Sequence, residues 1–293
     1  MSFVTRRIDV TIALGEGNFG NTGANTVKLQ NLRVSCQIQR SGLPGADTAN
    51  VKIYGISLSL MNQLSQLGAV TTYLRNNRIL IEAGDADAGM STAFNGTIDW
   101  SAASIDEQPY AFLEVAAFTG ILPALKPAAA TSFQGSADAA DVIQGIAKRM
   151  GYGFENNGVS VQLGTPYFSG SARQQLLTCI NAANIYGYID DVKKVIAIWP
   201  IGGSRAGSIP LVSVESGMVG YPRFSDFNIA LRTRYNPSLT MGGDFTVKST
   251  LTGANKKWTV NQLGHNLESQ IPGGAWFSDF QGYIFGESRV TAT

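Results

Sequence analysis

One histidine and two cysteines are the residues of this sequence best suited to nucleophilic or metal chemistry. His265 lies in a strand-like segment beside Asn266, and a general base there would need a serine or cysteine nucleophile close by. The sequence places no such motif near it, so we favour a structural or surface histidine. Cys36 and Cys179 lie far apart among apolar neighbours, a pattern typical of buried free thiols. A zinc site needs about four nitrogen or sulfur ligands, which these three residues do not supply.

Two short motifs resemble ligand sites but lack part of the required pattern. Asp85, Asp87 and Asp99 suggest a calcium loop, yet the segment lacks the alternating oxygen ligands and terminal glutamate of an EF-hand. We therefore predict a turn there. The segment Gly15–Gly20 has the spacing G-x-G-x-x-G, but the next periodic segment is a strand. A phosphate site of this type needs the N-terminus of a helix, so we predict a loop.

Charged residues that are adjacent in sequence allow a functional and a structural interpretation at two positions. Asp190 and Asp191 resemble a carboxylate pair, but adjacent residues in a hairpin turn point apart, and we expect both to be solvated. Lys256 and Lys257 precede Trp258, a combination that occurs in contacts with nucleic acid. We favour the start of a strand with a solvated edge, because lysines also protect sheet edges from aggregation.

Aromatic residues are concentrated behind a Pro-Gly-Gly turn, namely Trp276, Phe277, Phe280 and Tyr283. They suggest either a sugar-binding groove or packing in the core or at a subunit interface, and we favour packing. No complete catalytic constellation results from these motifs. We therefore predict that the protein is not an enzyme and has no catalytic, cofactor-binding or metal-binding residues.

Composition points to a globular protein without a strong electrostatic preference. The chain has 293 residues, of which 44% are hydrophobic and 15% charged, and its formal net charge is +1. A nearly neutral chain gives no global electrostatic reason to bind nucleic acid or an anionic membrane. No apolar run follows Arg6 and Arg7, and no stretch of about 18 apolar residues is present. We expect a soluble protein without a membrane anchor that folds in a reducing cytoplasm.

The elements that position these residues are mostly strands in the first and last parts of the chain. The first third alternates apolar and polar residues in several runs, including one predicted strand over 27–40, and a short helix follows Ser57. Residues 136–150 and 171–184 predict two helices, followed by a hairpin over 186–199. The strand pattern returns from Ile209 onward. The sequence thus predicts a β-rich part, an α+β part and a second β-rich part.

Three groups of segments, taken in order, resemble the baseplate hub family of contractile-tailed bacteriophages. The first is Asp47–Ser57, a strand that leads into a capped helix, with Gly55 and Ile56 where hub proteins often have asparagine and leucine. The other two are the turn-rich stretch over 217–247 and the strand and turn over 258–278. Each motif marks a structural turn or strand end, and the resemblance spans nearly the whole chain.

The resemblance implies a β-rich α+β fold with two tail-tube-like β-barrel domains separated by a smaller α+β domain. The corresponding domains are residues 1–125, 126–205 and 206–293. It also implies that Gly242–Asp244 is a turn before a barrel strand and that His265 has no catalytic role. Some hub relatives carry a lysozyme domain, but no insert of that size is present here.

The function implied by the resemblance is that of a structural hub in the virion baseplate, assembled in the host cytoplasm. Three copies would form a ring between the hexameric tail tube and the trimeric central spike. Implied partners are the tail tube protein, the spike, other baseplate subunits and the tape measure protein, with DNA only in transit. A strongly basic channel would slow DNA, so we expect few lysines and arginines there. Alternatives are a hexameric tail-tube or distal-tail ring and a carbohydrate-binding tail component.

Overall fold

The computed structural model describes residues 5–19, 23–65, 76–85, 89–105, 111–120, 127–225 and 228–284. Gly20, Asp87 and the predicted domain boundary near residue 125 lie outside these ranges. No helix in the described part is both long and apolar enough to cross a membrane. The same part contains no cluster of three or more histidine, cysteine, aspartate or glutamate side chains suited to a metal ion.

The described residues of the N-terminal part form seven strands and one short helix. The strands are β1 (Arg7–Ala13), β2 (Thr26–Leu29), β3 (Val34–Arg40), β4 (Thr48–Tyr54), β5 (Arg78–Asp85), β6 (Gly89–Ser104) and β7 (Phe112–Phe118). Helix α1 (Leu58–Leu64) begins after Ser57, whose side chain accepts a hydrogen bond from the Leu60 amide, as an N-cap does.

The single strand predicted over 27–40 is wrong in one respect, because the chain forms two strands there. Asn31 has a positive φ of 57°, and asparagine tolerates this left-handed conformation better than most residues. The break allows β2 to pair with β1 and β3 to pair with β4. The apolar positions also change phase at the break, from Val27 and Leu29 to Leu32 and Val34, so the pattern contains a local signal that the single-strand prediction did not use.

The described middle part, from residue 127 onward, contains both helices and strands. Helix α2 (Ala139–Met150) is capped by Asp138 and ends at Gly151, which has a φ of 78°, and helix α3 (Ala172–Ala183) is capped by Ser171. The strands are β8 (Thr131–Ser132), β9 (Ser136–Asp138), β10 (Gly153–Asn156), β11 (Gln162–Gly164), β12 (Tyr167–Phe168), β13 (Ile185–Asp190) and β14 (Val195–Pro200). Strands β13 and β14 form the predicted hairpin, and β10 joins β14 in parallel.

The C-terminal part returns to strands. These are β15 (Leu211–Ser213), β16 (Arg223–Ser225), β17 (Asn228–Arg234), β18 (Asp244–Lys248), β19 (Lys257–Ser269) and β20 (Trp276–Tyr283), with a 3-10 turn at Thr252–Ala254. A turn at Gly242 and Gly243 precedes β18, which begins at Asp244. Strand β20 includes the aromatic segment behind the Pro-Gly-Gly turn.

One sheet joins the N-terminal and C-terminal strands in the order β16-β17-β20-β19-β3-β4-β7-β6-β5-β1-β2. The connection is the antiparallel pairing of β19 with β3, which runs from Leu263 opposite Arg40 to Ser269 opposite Val34. Strand β18 branches from β19, and β15 pairs with β18. The prediction of a β-rich α+β fold is confirmed. The described strands form an open path, without closure into two barrels.

The buried apolar side chains fall into three clusters. One is formed by the N-terminal strands together with Leu267 and Trp276. The second is formed by helices α2 and α3 and the strands beside them. The third combines the C-terminal strands with Tyr188, Ala197 and Trp199 from the hairpin of β13 and β14. The hairpin therefore packs on both sides, which fixes the α+β part against the C-terminal strands.

Candidate functional surface

The joined sheet presents a row of amide side chains on the side opposite its hydrophobic core. Gln37 of β3 is paired with Asn50 of β4 on one side and with Asn266 of β19 on the other. Its neighbours Cys36 and Ile38 are buried, and successive side chains of a strand face opposite sides of the sheet. The amides therefore point away from the core. We call this side of β17, β20, β19, β3 and β4 the polar face.

A groove with a volume of about 930 Å³ lies over the polar face. One wall is the segment 219–223, in which Tyr221 is 69% exposed. The floor includes Gln39 and Thr48 from β3 and β4, and Gln262 and Gln281 from β19 and β20. These side chains donate and accept hydrogen bonds without carrying charge. The groove thus has a polar and mostly uncharged lining.

An ion pair lies at one end of the groove. Arg232 of β17 is directly opposite Asp279 of β20, and Nε and Nη2 of the arginine donate to Oδ1 and Oδ2 of the carboxylate at 2.6 and 3.0 Å. Arg223 and Arg234 also project from this end of the polar face. Neither has a carboxylate partner within the described part of the chain.

Other cations on the same side of the sheet face carboxylates. Lys52 of β4 is opposite Glu114 of β7, and Lys257 Nζ lies 2.9 Å from an oxygen of Asp244. Glu268 adds a further negative group on β19. Because most positive groups have a negative neighbour, this side of the sheet has little net charge.

A buried polar cluster connects the α+β part to the N-terminal strands. The Tyr188 hydroxyl donates to Asp47 Oδ2 at 2.6 Å and accepts from Arg40 Nη1 at 3.1 Å. The Ser41 amide donates to Asp47 Oδ1 at 2.9 Å. Burial raises the pKa of Asp47 to about 6, although Arg40 and these hydrogen bonds stabilise the carboxylate. The sequence does not reveal this cluster, because its members are brought together only by the fold.

The expectation that Asp190 and Asp191 are solvated is wrong, since both are buried. Asp190 accepts a hydrogen bond from Arg205 Nη1 at 2.9 Å. The same guanidinium donates to both oxygens of Glu155 at 3.0 and 2.9 Å. Arg205 thereby supplies the charge that allows Asp190 to remain in a buried position.

Asp191 has a different set of partners, so the two carboxylates do point apart as predicted. Its oxygens accept hydrogen bonds from the Tyr152 hydroxyl at 2.6 Å and from the Gly120 amide at 3.0 Å. It also forms an ion pair with Lys194. These contacts stabilise the hairpin and do not leave a free carboxylate pair for acid-base chemistry.

His265 is a buried structural residue. Its Nδ1 lies 2.9 Å from the Ser278 hydroxyl, and its ring meets that of Tyr235 edge-on at 5.2 Å. Burial, with a smaller effect of the Arg40 charge, lowers the pKa of His265 to about 3. The two cysteines are buried free thiols, as predicted, and burial raises the pKa of each to about 12.

The remaining motifs lie in loops and strands and form no ligand site within the described residues. Residues 15–19 lie between β1 and β2, and no helix begins among them or at residues 23–25. The strand predicted after the glycine motif is present as β2. Asp85 ends β5, and Asp99 lies where β6 changes register against β7. Trp258 is buried near the start of β19, which agrees with the strand interpretation of Lys256–Trp258.

The aromatic residues of β20 do not share one surface. Trp276 and Phe280 are buried, whereas Phe277 and Tyr283 lie on the opposite side of the strand, because side chains alternate. Core packing thus accounts for two of the four residues. A continuous sugar-binding platform would need neighbouring rings on one face, which this alternation prevents.

Comparison with known proteins identifies phage tail components. Among solved structures, the chain is similar to a tail protein from Neisseria meningitidis, with a TM-score of 0.61, 8% identity, and coverage of 95% of this chain and 97% of that chain. A 43 kDa tail protein of prophage MuSo2 from Shewanella oneidensis gives a TM-score of 0.58 at 8% identity, covering 94% and 96%.

A third similar structure is a component of the type VI secretion system from E. coli, described as similar to the T4 bacteriophage tail proteins gp27 and gp5. Its TM-score is 0.57 at 13% identity, with coverage of 87% of this chain and 74% of that chain. At these identities the likeness shows the fold alone. No functionally curated protein matches the sequence. The model of the baseplate hub gp41 family matches residues 7–272, so the chain belongs to this family of structural phage tail proteins.

Proposed function

We propose that this protein is a baseplate hub subunit that forms a trimeric ring between the hexameric tail tube and the trimeric central spike. The ring encloses the channel through which DNA is ejected. The observation that carries this proposal is the single sheet in which β19 pairs with β3, because it gives each copy one continuous wall with a polar face of little net charge. Membership of the baseplate hub gp41 family supports the same function.

Within each copy, we assign residues 1–125 and 206–293 to two tube-like domains and residues 126–205 to the α+β domain between them. The three hydrophobic clusters support this division. Three copies that each carry two similar domains give a six-fold-like ring, which matches a hexameric tube on one side and a trimeric spike on the other.

The size of the sheet is consistent with such a channel. The path from β16 to β6 contains eight consecutive strands, so three copies supply about 24 strands to one wall. At about 4.8 Å between strands and a tilt of about 40°, the circumference is about 150 Å. The corresponding diameter between opposite backbones is about 48 Å. That width leaves space for side chains and a DNA duplex.

The polar face is the proposed channel wall. A protein that neutralises many DNA phosphates with lysine and arginine binds DNA tightly and in a salt-dependent manner. A wall of glutamine, asparagine and threonine, with most of its cations opposite carboxylates, offers few such contacts. DNA then passes with little retention, as a conduit requires.

The hub acts through its contacts with other proteins and not as an enzyme or with a cofactor. Its proposed partners are the tail tube protein, the spike, other baseplate subunits and the tape measure protein, in a virion baseplate assembled in the host cytoplasm. The family supports a place in the phage tail. The structural roles of His265, Asp190 and Asp191 support the absence of acid-base catalysis by these residues.

Light scattering across a concentration series tests the ring, with binding to purified tube and spike proteins as a second measurement. A trimer that binds both is expected. A hexamer would instead indicate a tube or distal-tail ring, and a monomer that binds neither partner would contradict the proposal. Phe224 is 55% exposed on β16, the last strand of the sheet path, so Phe224→Asp should weaken the trimer. Tyr167→Asp, at a 68% exposed site outside this sheet, is the matched control.

A further inference from the structure

The pair formed by Arg232 and Asp279 differs from the rest of the groove lining, which is mainly uncharged. Both residues line the groove, and their side chains are 51% and 46% exposed. The guanidinium also lies over the Phe277 ring, 5.3 Å from its centroid. The arginine is therefore accessible from the groove but held against the sheet by two neighbours.

The geometry of the pair determines what the arginine can bind. A guanidinium presents a planar fork of donors that fits a phosphate as well as it fits a carboxylate. Asp279 occupies Nε and Nη2 of this fork through two hydrogen bonds. A phosphate that approached Arg232 would have to displace the Asp279 carboxylate or lie close to it and be repelled by its negative charge.

We infer that Asp279 prevents Arg232 from holding the phosphate backbone of DNA in the channel. This inference rests on the proposed function, because it requires that the polar face lines the channel. Asp279 is thus a positioning residue whose role is to keep one arginine per copy unavailable to DNA. In a trimer the same pair occurs three times around the channel. Loss of Asp279 would therefore add three arginines to Arg223 and Arg234 of each copy, which have no carboxylate partner in the described part of the chain.

The expected effect follows from counterion release. Each additional phosphate contact steepens the slope of log affinity against log salt by about 0.9. Three freed arginines that act on one duplex steepen it by about 2.7, which adds about a 40-fold loss of affinity between 50 and 200 mM salt. A single freed arginine on an isolated copy would change the slope by only about 0.9.

The experiment measures binding of a short linear DNA duplex to the full chain and to Asp279→Asn over this salt range. The variant should bind more tightly than the wild type at low salt, with the steeper slope. Exposed ion pairs contribute little to stability, so the variant should fold. Asp141→Asn, which removes the same charge from an exposed position on α2, is the control and should leave DNA binding unchanged. The double variant Arg232→Gln/Asp279→Asn should bind DNA no more tightly than the wild type.

Two further comparisons locate the arginine. A ring that holds DNA inside its channel should show the gain with linear DNA but not with covalently closed circular DNA. An equal gain with circular DNA would overturn the placement of Arg232 at the channel wall. If Asp279→Asn binds DNA no more tightly than Asp141→Asn does, Asp279 does not mask Arg232. Light scattering of the same samples measures their oligomeric state independently. The absence of a trimer can therefore be distinguished from a failure of this inference.

Discussion

Tyr188→Phe tests whether the buried cluster between the α+β part and the N-terminal strands stabilises the fold. The substitution removes one hydroxyl and keeps the ring, which is almost completely buried. That hydroxyl donates to Asp47 and accepts from Arg40. Tyr188 lies on β13, whereas Arg40 ends β3 and Asp47 precedes β4. The lost hydrogen bonds therefore connect two parts of the chain that are distant in sequence.

The magnitude follows from the charges of the two partners. A hydrogen bond to a charged group contributes about 1.5–3 kcal/mol, and Asp47 keeps its contacts with Ser41 and Arg40 after the substitution. We expect Tyr188→Phe to lower the free energy of unfolding by about 2–3 kcal/mol. Asp47→Ala should cost more, about 3–5 kcal/mol, because it leaves the buried Arg40 without its counter-charge. For a chain of this length the smaller loss corresponds to a decrease in Tm of about 4 °C.

The assay is urea unfolding of both variants followed by fluorescence, together with hydrogen exchange of the β13 amides. Tyr167→Phe is the matched control, since its side chain is 68% exposed, and its effect should stay within about 0.5 kcal/mol. Exchange should accelerate in β13 before it accelerates in β19, because the cluster fixes the hairpin. If Tyr188→Phe is as stable as Tyr167→Phe, the hydrogen bonds of the Tyr188 hydroxyl do not stabilise the fold.

Three other predictions concern the core. The folded pKa of His265, about 3, lies below the unfolded value of about 6.5, so its contribution to stability is present above that value. The contribution of His265 should fall by about 1.4 kcal/mol per unit as pH decreases between these values. The raised pKa of Asp47 has the opposite effect, so this slope should appear in the difference between the free energies of unfolding of the wild type and His265→Gln. Gly242→Ala should lower the free energy of unfolding by about 2–4 kcal/mol, because φ is 74° and a Cβ would overlap the Trp199 ring; denaturant titration measures the loss. Cys36 and Cys179 should react with a thiol reagent only after unfolding, and rapid labelling of the native protein would contradict their burial.

Local signals predicted the helices of the α+β part well. The sequence predicted helices over 136–150 and 171–184, and α2 and α3 occupy Ala139–Met150 and Ala172–Ala183. Their caps, Asp138 and Ser171, act within a few residues of the helix start. Gly151 likewise ends α2 through its own left-handed conformation. Such signals need no information from distant parts of the chain.

Asp190 and Asp191 show why buried polar contacts were harder to predict than the helices. From the sequence alone, two adjacent carboxylates in a hairpin turn have every reason to be solvated. Their burial depends on Arg205 and Tyr152, which the fold brings to them from other elements. The stabilising partner is therefore not visible in the local pattern, and the favourable ion pair appears only in the folded chain.

The polar face likewise depends on pairing between strands, in this case on the register of β19 against β20. Thr259 faces outward and Val260 inward, and strict alternation would then turn Gln262 toward the core. The register against β20 shifts between Val260 and Gln262, so Asn261 is an extra residue of the kind that forms a β-bulge. The shift turns Gln262 to the groove and Leu263 to the core, where Leu263 is fully buried. Since a one-residue slip exchanges the two faces of a strand, this bulge determines that β19 continues the amide face of β3.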